Sequence, residues 1–178
     1  RFIRYQGEPL QSSTRYWYTI QVWDREDREG KISRPCFFET AFLDDSLWKA
    51  EWISGDSLLR KEFNISSEII EARLYAAGLG YRKIWINGLP VSDEELAPSY
   101  TNYEEMTEYR MYRVENLLRS GANGIGVMLG DSFYSGSRCA VLQLEIKDAA
   151  ENTHRVVTDT TWRCAPGPVV ENSIYDGE

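Results

Sequence analysis

The sequence has 178 residues, with 20 Lys and Arg against 28 Asp and Glu, which gives a formal net charge of −8. This balance argues against a nucleic-acid partner, because such partners select clustered basic residues, and no apolar run is long enough to predict a membrane span. A hydrophobic content of 42% with 27% charged residues is typical of a globular chain, and the length allows one ordinary domain plus a fragment of another.

The residue types that carry metal and nucleophilic chemistry are scarce. His154 is the single histidine, so a zinc helix of the HExxH type is impossible and a catalytic triad would have to include this residue. The three cysteines, Cys36, Cys139 and Cys164, form no CxxC pair. We therefore predict no metal site and no cofactor. Aromatic residues make up 13% of the chain, which is typical of β-sandwiches and of proteins that stack on sugars.

The first forty residues are rich in aromatic side chains. Residues 16–24 predict one long strand, followed by a charged turn over residues 25–30 and a short strand around residues 37–40. Two or three strands are too few for a sandwich. We therefore interpret this segment as the end of a separate domain, with a boundary near residues 42–48, where the acidic residues predict a short capped helical turn.

Strands and tight turns dominate the rest of the chain. Leu59, Phe63 and Ile65 indicate one strand, while residues 72–77 and 81–86 indicate two more, separated by a bend at residues 78–80. The next pair of residues is Asn87-Gly88, which is the strongest short-range signal for a type I′ turn.

Alternating apolar residues continue towards the C-terminus. The glycines of residues 121–130 predict a strand with one bare face, because Gly124 and Gly126 alternate with Ile125, Val127 and Leu129. Residues 142–147 predict a half-buried strand in which Gln143, Glu145 and Lys147 face water. A hairpin into residues 155–158 follows. Together these signals predict an all-β sandwich.

The sequence offers no convincing catalytic pair. Glycosidases need an acid and a base or nucleophile across the bond that they cleave, but residues 93–95 and 104–105 place their carboxylates among polar neighbours. Raising the pKa of a carboxyl group requires an apolar pocket. We therefore interpret both segments as solvated surface loops and assign no catalytic residue.

Recognition of a sugar is the more informative hypothesis, because the CH-rich faces of sugars stack on aromatic rings while polar groups bond the hydroxyls. Trp85 is predicted to be half-exposed if Ile84 and Ile86 are buried. The aromatic and polar residues that we predict near a sugar are Arg82, Trp85, Tyr100, Tyr103, Asp131, Phe133 and Tyr134. Ordinary packing in the core or between domains is the alternative for each aromatic ring.

Several segments, taken in chain order, resemble one known family. They are residues 16–24, 38–40, 48–53, 59–63, 74–80, 86–88, 96–103, 121–131 and 174–178. In this order they are similar to the N-terminal part of bacterial α-L-rhamnosidases of glycoside hydrolase family seventy-eight. One departure is the run Ser132-Phe133-Tyr134, where the family usually has Gly-Trp-Tyr.

The resemblance implies an architecture and an activity. In that family an Fn3-like module precedes a jelly-roll sandwich similar to galactose-binding domains, and a helical barrel farther along carries the catalytic acids. Residues 1–42 would be the last strands of the Fn3-like module, and residues 43–178 would be the jelly roll. The resemblance thus implies inverting hydrolysis of terminal α-L-rhamnosyl groups by an intact enzyme, with no catalytic residue in this segment.

Two functions remain open from the sequence. In the first, the chain is an accessory domain close to a rhamnose-containing carbohydrate and beside the catalytic domain of the same parent chain. In the second, it is a purely structural module between domains, with no ligand of its own. A binding module should present a concave, polar-rimmed aromatic surface, whereas a packing module should present a flat apolar one.

Overall fold

The computed structural model describes residues 4–133, 136–169, 171–173 and 175, which form β-strands joined by turns and short helical segments. The chain divides into two compact units, Arg1–Trp48 and Lys49–Glu178. The assignment of these units to the end of an Fn3-like module and to a jelly roll stays a prediction. No helix in the described part of the chain has the length and apolar character that a membrane crossing needs.

The first unit contains a short antiparallel pair of strands, β1 (Arg15–Tyr18) and β2 (Cys36–Glu39). The ring of Tyr16 stacks on that of Phe38 with the centroids 5.4 Å apart. The prediction of one strand over residues 16–24 is wrong, because β2 has only four residues and the pairing with β1 ends where β2 ends. Farther along the predicted strand, Trp23 forms only an isolated bridge with Glu29.

A helical turn closes the first unit, as the acidic residues predicted. Residues Asp45–Leu47 form a 3-10 turn, and the side chain of Asp44 accepts a hydrogen bond from the backbone N–H of Ser46. This is the standard way in which a short polar side chain satisfies a free donor at the start of a helix.

The described residues of the second unit form ten further strands. They are β3 (Ile53–Ser54), β4 (Leu58–Ile65), β5 (Ile69–Leu79), β6 (Tyr81–Ile86), β7 (Leu89–Pro90), β8 (Arg110–Arg113), β9 (Gly121–Gly130), β10 (Cys139–Asp148), β11 (Thr153–Val157) and β12 (Arg163–Ala165). A 3-10 turn, Glu115–Leu117, lies between β8 and β9. Sheet I has the order β11-β10-β5-β8, with β3 also paired to β10, and sheet II has the order β12-β4-β9-β6-β7.

The two sheets share one hydrophobic core. Sheet I contributes buried side chains such as Leu74 and Leu142, and sheet II contributes Ile86 and Val127 to the same cluster. All pairings are antiparallel. Because apolar residues alternate along strands of both sheets and meet in one cluster, the unit is the β-sandwich that the sequence predicted.

Two turns place β6 in sheet II. Gly80 joins β5 of sheet I to β6 at a φ of +98°, and a Cβ atom there would lie 2.7 Å from the carbonyl oxygen of Gly130. Only glycine tolerates this combination. At the other end of β6, Asn87 and Gly88 both have positive φ, at 52° and 82°, which confirms the predicted tight turn.

Two buried polar residues complete sheet I. Gln143 is fully buried, and its Oε1 accepts the backbone N–H of Lys49 at 2.7 Å. The prediction that it faces water is therefore wrong. Thr158 is equally buried; its hydroxyl donates to the carbonyl of Glu51 at 2.6 Å and accepts the N–H of Leu142 at 3.0 Å.

Candidate functional site

Four aromatic rings form a surface patch, which we call the end cluster. It consists of Tyr100, Tyr103, Phe133 and Tyr175. Tyr100 contacts Tyr103 and Phe133 edge-on, with centroid distances of 5.4 Å and 5.7 Å, and Phe133 contacts Tyr175 at 6.3 Å. Tyr100, Phe133 and Tyr175 are 60%, 57% and 83% exposed. The cluster therefore offers several ring edges and faces to a partner.

Local turns hold the two tyrosines of the long loop between β7 and β8. The carbonyl of Asn102 accepts the N–H groups of Glu105 and Met106, and the hydroxyl of Thr101 donates to the carbonyl of Met106 at 2.7 Å. Tyr103 is half-buried, and burial raises the pKa of its hydroxyl although a hydrogen bond with Ser132 acts in the opposite direction. Tyr103 thus anchors the cluster, while Tyr100 remains exposed.

Polar groups accompany the end cluster. Asp131, two residues before Phe133, forms an ion pair with Arg138 at 3.3 Å, and its backbone N–H donates to Oδ1 of Asn172 at 3.3 Å. Carboxylate and guanidinium groups are suited to hydrogen bonds with sugar hydroxyls. The predicted residue Tyr134 lies outside the described residues.

Arg82 lies inside the sandwich, where it joins the two sheets. It is only 6% exposed, and its Nη2 donates to the carbonyl of Ala76 at 2.7 Å. Its Nη1 donates to the hydroxyl of Tyr112 at 3.4 Å. Burial raises the pKa of Tyr112, and the neighbouring guanidinium opposes this shift. These contacts describe a residue that ties β6 to β5 and β8.

A small cavity lies beside Arg82. It has a volume of about 170 Å³, and its lining includes Lys83, Glu94, Asp131 and Asn172. The Nε atom of Arg82 is buried without a hydrogen-bond partner among the described residues. The cavity is therefore lined both by the buried Arg82 and by Asp131 and Asn172, the polar residues that border the end cluster.

Trp85 is separate from the other predicted residues. It is half-buried on the outer face of β6, and Ile84 and Ile86 are buried on the inner face, as alternation predicted. Trp85 pairs with Gly126 of β9, and Gly126 pairs in turn with Arg60 of β4. These three residues therefore form one row across sheet II.

An open groove of about 730 Å³ covers this row. We call it the glycine groove: Gly124 and Gly126 form its floor, Trp85 lies on one side, and Arg60 and Glu62 lie on the other. Arg60 and Glu62 form an ion pair in which each side chain is 66% exposed. The sequence predicted the bare face of β9 but not the groove, because the row depends on the pairing of three distant strands.

The carboxylates of the two acidic loops are exposed, as predicted. Glu95 forms an ion pair with Lys83, and Glu94 accepts a hydrogen bond from the hydroxyl of Tyr112 at 2.8 Å. Within residues 4–133, 136–169, 171–173 and 175, no group of three or more His, Cys, Asp or Glu side chains is arranged to hold a metal ion.

Two members of the end-cluster region were not singled out from the sequence. Tyr175 belongs to a segment that contributes to the family resemblance, but nothing local indicates that its ring reaches Phe133. Arg138 follows the loop that carries Phe133, and its ion pair with Asp131 depends on how that loop returns.

Two family models match the chain. The model described as the α-L-rhamnosidase N-terminal domain matches residues 67–178. The model described as the Rha78A-like, N-terminal immunoglobulin domain matches residues 1–44. The first match covers more than half of the chain and lies entirely within the second unit.

Individual proteins show the same similarity. Two α-L-rhamnosidases from Formosa agariphila are 29% and 32% identical to this chain; each match covers 99% of the chain but only 24% and 22% of the relative. The solved structure of an α-L-rhamnosidase from Dictyoglumus thermophilum matches with a TM-score of 0.92 at 30% identity, over 98% of this chain and 23% of that one. The chain therefore spans about a quarter of the length of these relatives.

Proposed function

Because the chain belongs to the α-L-rhamnosidase N-terminal domain family, we propose that it is an accessory domain, close to the carbohydrate, of an enzyme that hydrolyses terminal α-L-rhamnosyl groups. The catalytic acids of this enzyme lie in a part of the protein beyond these residues. The carboxylates of the two acidic loops support this division, because they are exposed and lack the apolar surroundings that a general acid requires. In the first loop, Glu95 also pairs with Lys83, and Glu94 accepts a hydrogen bond from Tyr112.

The end cluster is the observation that carries the accessory role. Tyr100, Phe133 and Tyr175 are each more than half exposed although they contact one another. A connected exposed aromatic patch of this kind marks a surface for interaction. The Asp131–Arg138 pair beside it supplies hydrogen-bonding groups, so the patch offers both ring faces and polar groups to a sugar.

The domain contributes to carbohydrate recognition in this proposal, either by weak binding or as a wall beside the catalytic domain. Its sandwich is a jelly roll of the kind found in galactose-binding domains. The competing function is a spacer that only packs between domains. A spacer would use the same rings as a flat contact and would leave the recognition of rhamnosides unchanged.

The test compares variants of the full-length protein that carries this chain. The variant Tyr100→Ala/Phe133→Ala removes two exposed rings, and Trp52→Ala is the control because Trp52 is 48% exposed and lies outside the end cluster. Hydrolysis of an aryl α-L-rhamnoside gives kcat and KM. Titration with L-rhamnose, followed by protein NMR, reports binding directly.

The accessory role predicts that Tyr100→Ala/Phe133→Ala raises KM several-fold, or abolishes the saturable rhamnose shifts near the cluster, while its kcat stays the same. The control variant Trp52→Ala should keep the KM, kcat and melting temperature of the wild type. Unchanged KM and unchanged rhamnose shifts in the double variant would favour the spacer. Rhamnoside turnover by residues 1–178 alone would overturn the assignment of catalysis to another part of the enzyme.

A further inference from the structure

The two glycines of the groove floor have no explanation within the domain. Neither Gly124 nor Gly126 has a φ in the left-handed region. A Cβ atom at Gly124 would meet nothing within 4 Å, and one at Gly126 would meet only the carbonyl oxygen of Leu59 at 3.9 Å. Glycine weakens a strand, so its presence here points to close approach by something outside the strand.

The walls of the groove show what kind of group could approach. Trp85 lies opposite Gly126 in the register of β6 and β9, and the missing side chain leaves space beside its ring. On the other side, Arg60 and Glu62 supply donors and acceptors at the groove surface. At the end of the groove, the Nε atom of Arg119 donates to the carbonyl of Ala122 at 2.9 Å, which fixes this guanidinium at the rim.

We propose that the glycine groove is a second carbohydrate site, which binds a segment of a neutral oligosaccharide. A pyranose ring stacks on Trp85 above Gly126, and its hydroxyl groups form hydrogen bonds with Arg60 and Glu62. The groove volume of about 730 Å³ lies within the range of small-molecule sites.

Charge favours a neutral glycan over other occupants. The chain has a net charge of −8, which repels a polyanionic glycan. A protein surface pressed into the groove would remove water from the Arg60–Glu62 pair, whose side chains are 66% exposed, and desolvation of an ion pair is unfavourable. Hydroxyl groups can bond both side chains while the pair keeps contact with water.

The site is distinct from the end cluster. Tyr81 pairs with Gly130, next to Asp131, whereas Trp85 pairs with Gly126. Tyr81 and Trp85 are four residues apart on an extended strand, which corresponds to ~13 Å. The inference therefore goes beyond the proposed function and does not depend on the end cluster or on turnover.

The experiment measures binding to the full-length protein by isothermal titration calorimetry. The probe is a linear neutral tetrasaccharide of pyranose units without a terminal rhamnosyl group, so that hydrolysis of rhamnosides does not consume it. The variants are Trp85→Ala, which removes the stacking ring, and the graded pair Gly126→Ala and Gly126→Val, which fill the floor. Trp52→Ala is the matched control, because it removes a tryptophan that is 48% exposed and does not line the groove.

We expect saturable binding that weakens about tenfold or more in Trp85→Ala, weakens progressively from Gly126→Ala to Gly126→Val, and is unchanged in Trp52→Ala. The melting temperature of Gly126→Val should equal or exceed that of the wild type, because valine suits a strand better than glycine.

The proposed site would be overturned if the wild type shows no saturable binding. It would also be overturned if Trp85→Ala and Gly126→Val bind the tetrasaccharide as tightly as the wild type does. A lower melting temperature of Gly126→Val would instead show that another part of the protein covers the groove. The end-cluster variants test the accessory role separately, so either hypothesis can fail alone.

Discussion

Asn123 is the side chain whose removal should most clearly destabilise sheet II. It is buried at the start of β9, and its amide makes four hydrogen bonds. Oδ1 accepts the N–H of Arg119 at 3.0 Å and Nδ2 of Asn87 at 2.8 Å, while Nδ2 donates to the carbonyls of Arg119 and Gly121 at 2.7 Å and 2.9 Å. The amide therefore ties the segment before β9 to the turn after β6.

The expected effect of Asn123→Ala follows from these contacts. A typical intramolecular hydrogen bond contributes about 1 kcal/mol net, but Arg119 is exposed and water can replace part of what its backbone loses. We therefore expect the free energy of unfolding to fall by about 3 kcal/mol. For a domain of this size the melting temperature should fall by roughly 10 °C.

Scanning calorimetry measures this change, with Asn64→Ala as the control because Asn64 is exposed on β4. The variant Asn123→Asp adds a sharper test. It keeps the size and the acceptor but places a carboxylate oxygen against the carbonyls of Arg119 and Gly121, so it should destabilise at least as much as alanine. A loss below about 1 kcal/mol for Asn123→Ala, or a stable Asn123→Asp variant, would refute the network.

Three further measurements test other parts of the structure. Thr158→Val keeps the shape but removes a buried hydroxyl with two backbone partners, so urea unfolding should show a loss of about 2 kcal/mol. The hydrogen bond with His154 is the main reason why the pKa of Asp148 is lowered to about 2. The ionised carboxylate therefore stabilises the fold above its ordinary pKa, and this contribution should be lost as the pH falls from about 4 towards 2. Melting curves over this range should lose that pH dependence in Asp148→Asn. Arg82→Met removes the hydrogen bonds of Arg82 between the sheets. The melting temperature of the full-length protein should therefore fall, while KM for an aryl α-L-rhamnoside stays the same. A higher KM at an unchanged melting temperature would instead place Arg82 at the sugar.

Features set by neighbouring residues were predictable from the sequence. Alternation identified the buried face of β9, and the dipeptide Asn87-Gly88 identified the turn after β6, because both depend on the local backbone and on a period of two. The hairpin between β10 and β11 was predicted for the same reason. In each case the signal and its consequence lie within a few residues of each other.

Features that depend on distant partners were not predictable in this way. Gln143 is buried because the backbone N–H of Lys49, far earlier in the chain, supplies a partner for its amide oxygen. Residues 16–24 have the composition of a strand, but the ladder of β1 stops where β2 runs out of residues. The interior position of Arg82 likewise depends on acceptors provided by β5 and β8.

The surface chemistry of the sandwich depends on the register of one strand. In β6, Arg82, Ile84 and Ile86 point inward, whereas Tyr81, Lys83 and Trp85 lie on the outer face. A shift of one residue would exchange the two faces, placing Trp85 in the core and bringing Ile84 or Ile86 opposite Gly126 in the groove. The bend at Gly80 and the turn at Asn87-Gly88 fix both ends of β6, so they also determine which side chains face the glycine groove. Substitutions at these turns should therefore affect recognition through the register, even though the turn residues themselves need not touch a ligand.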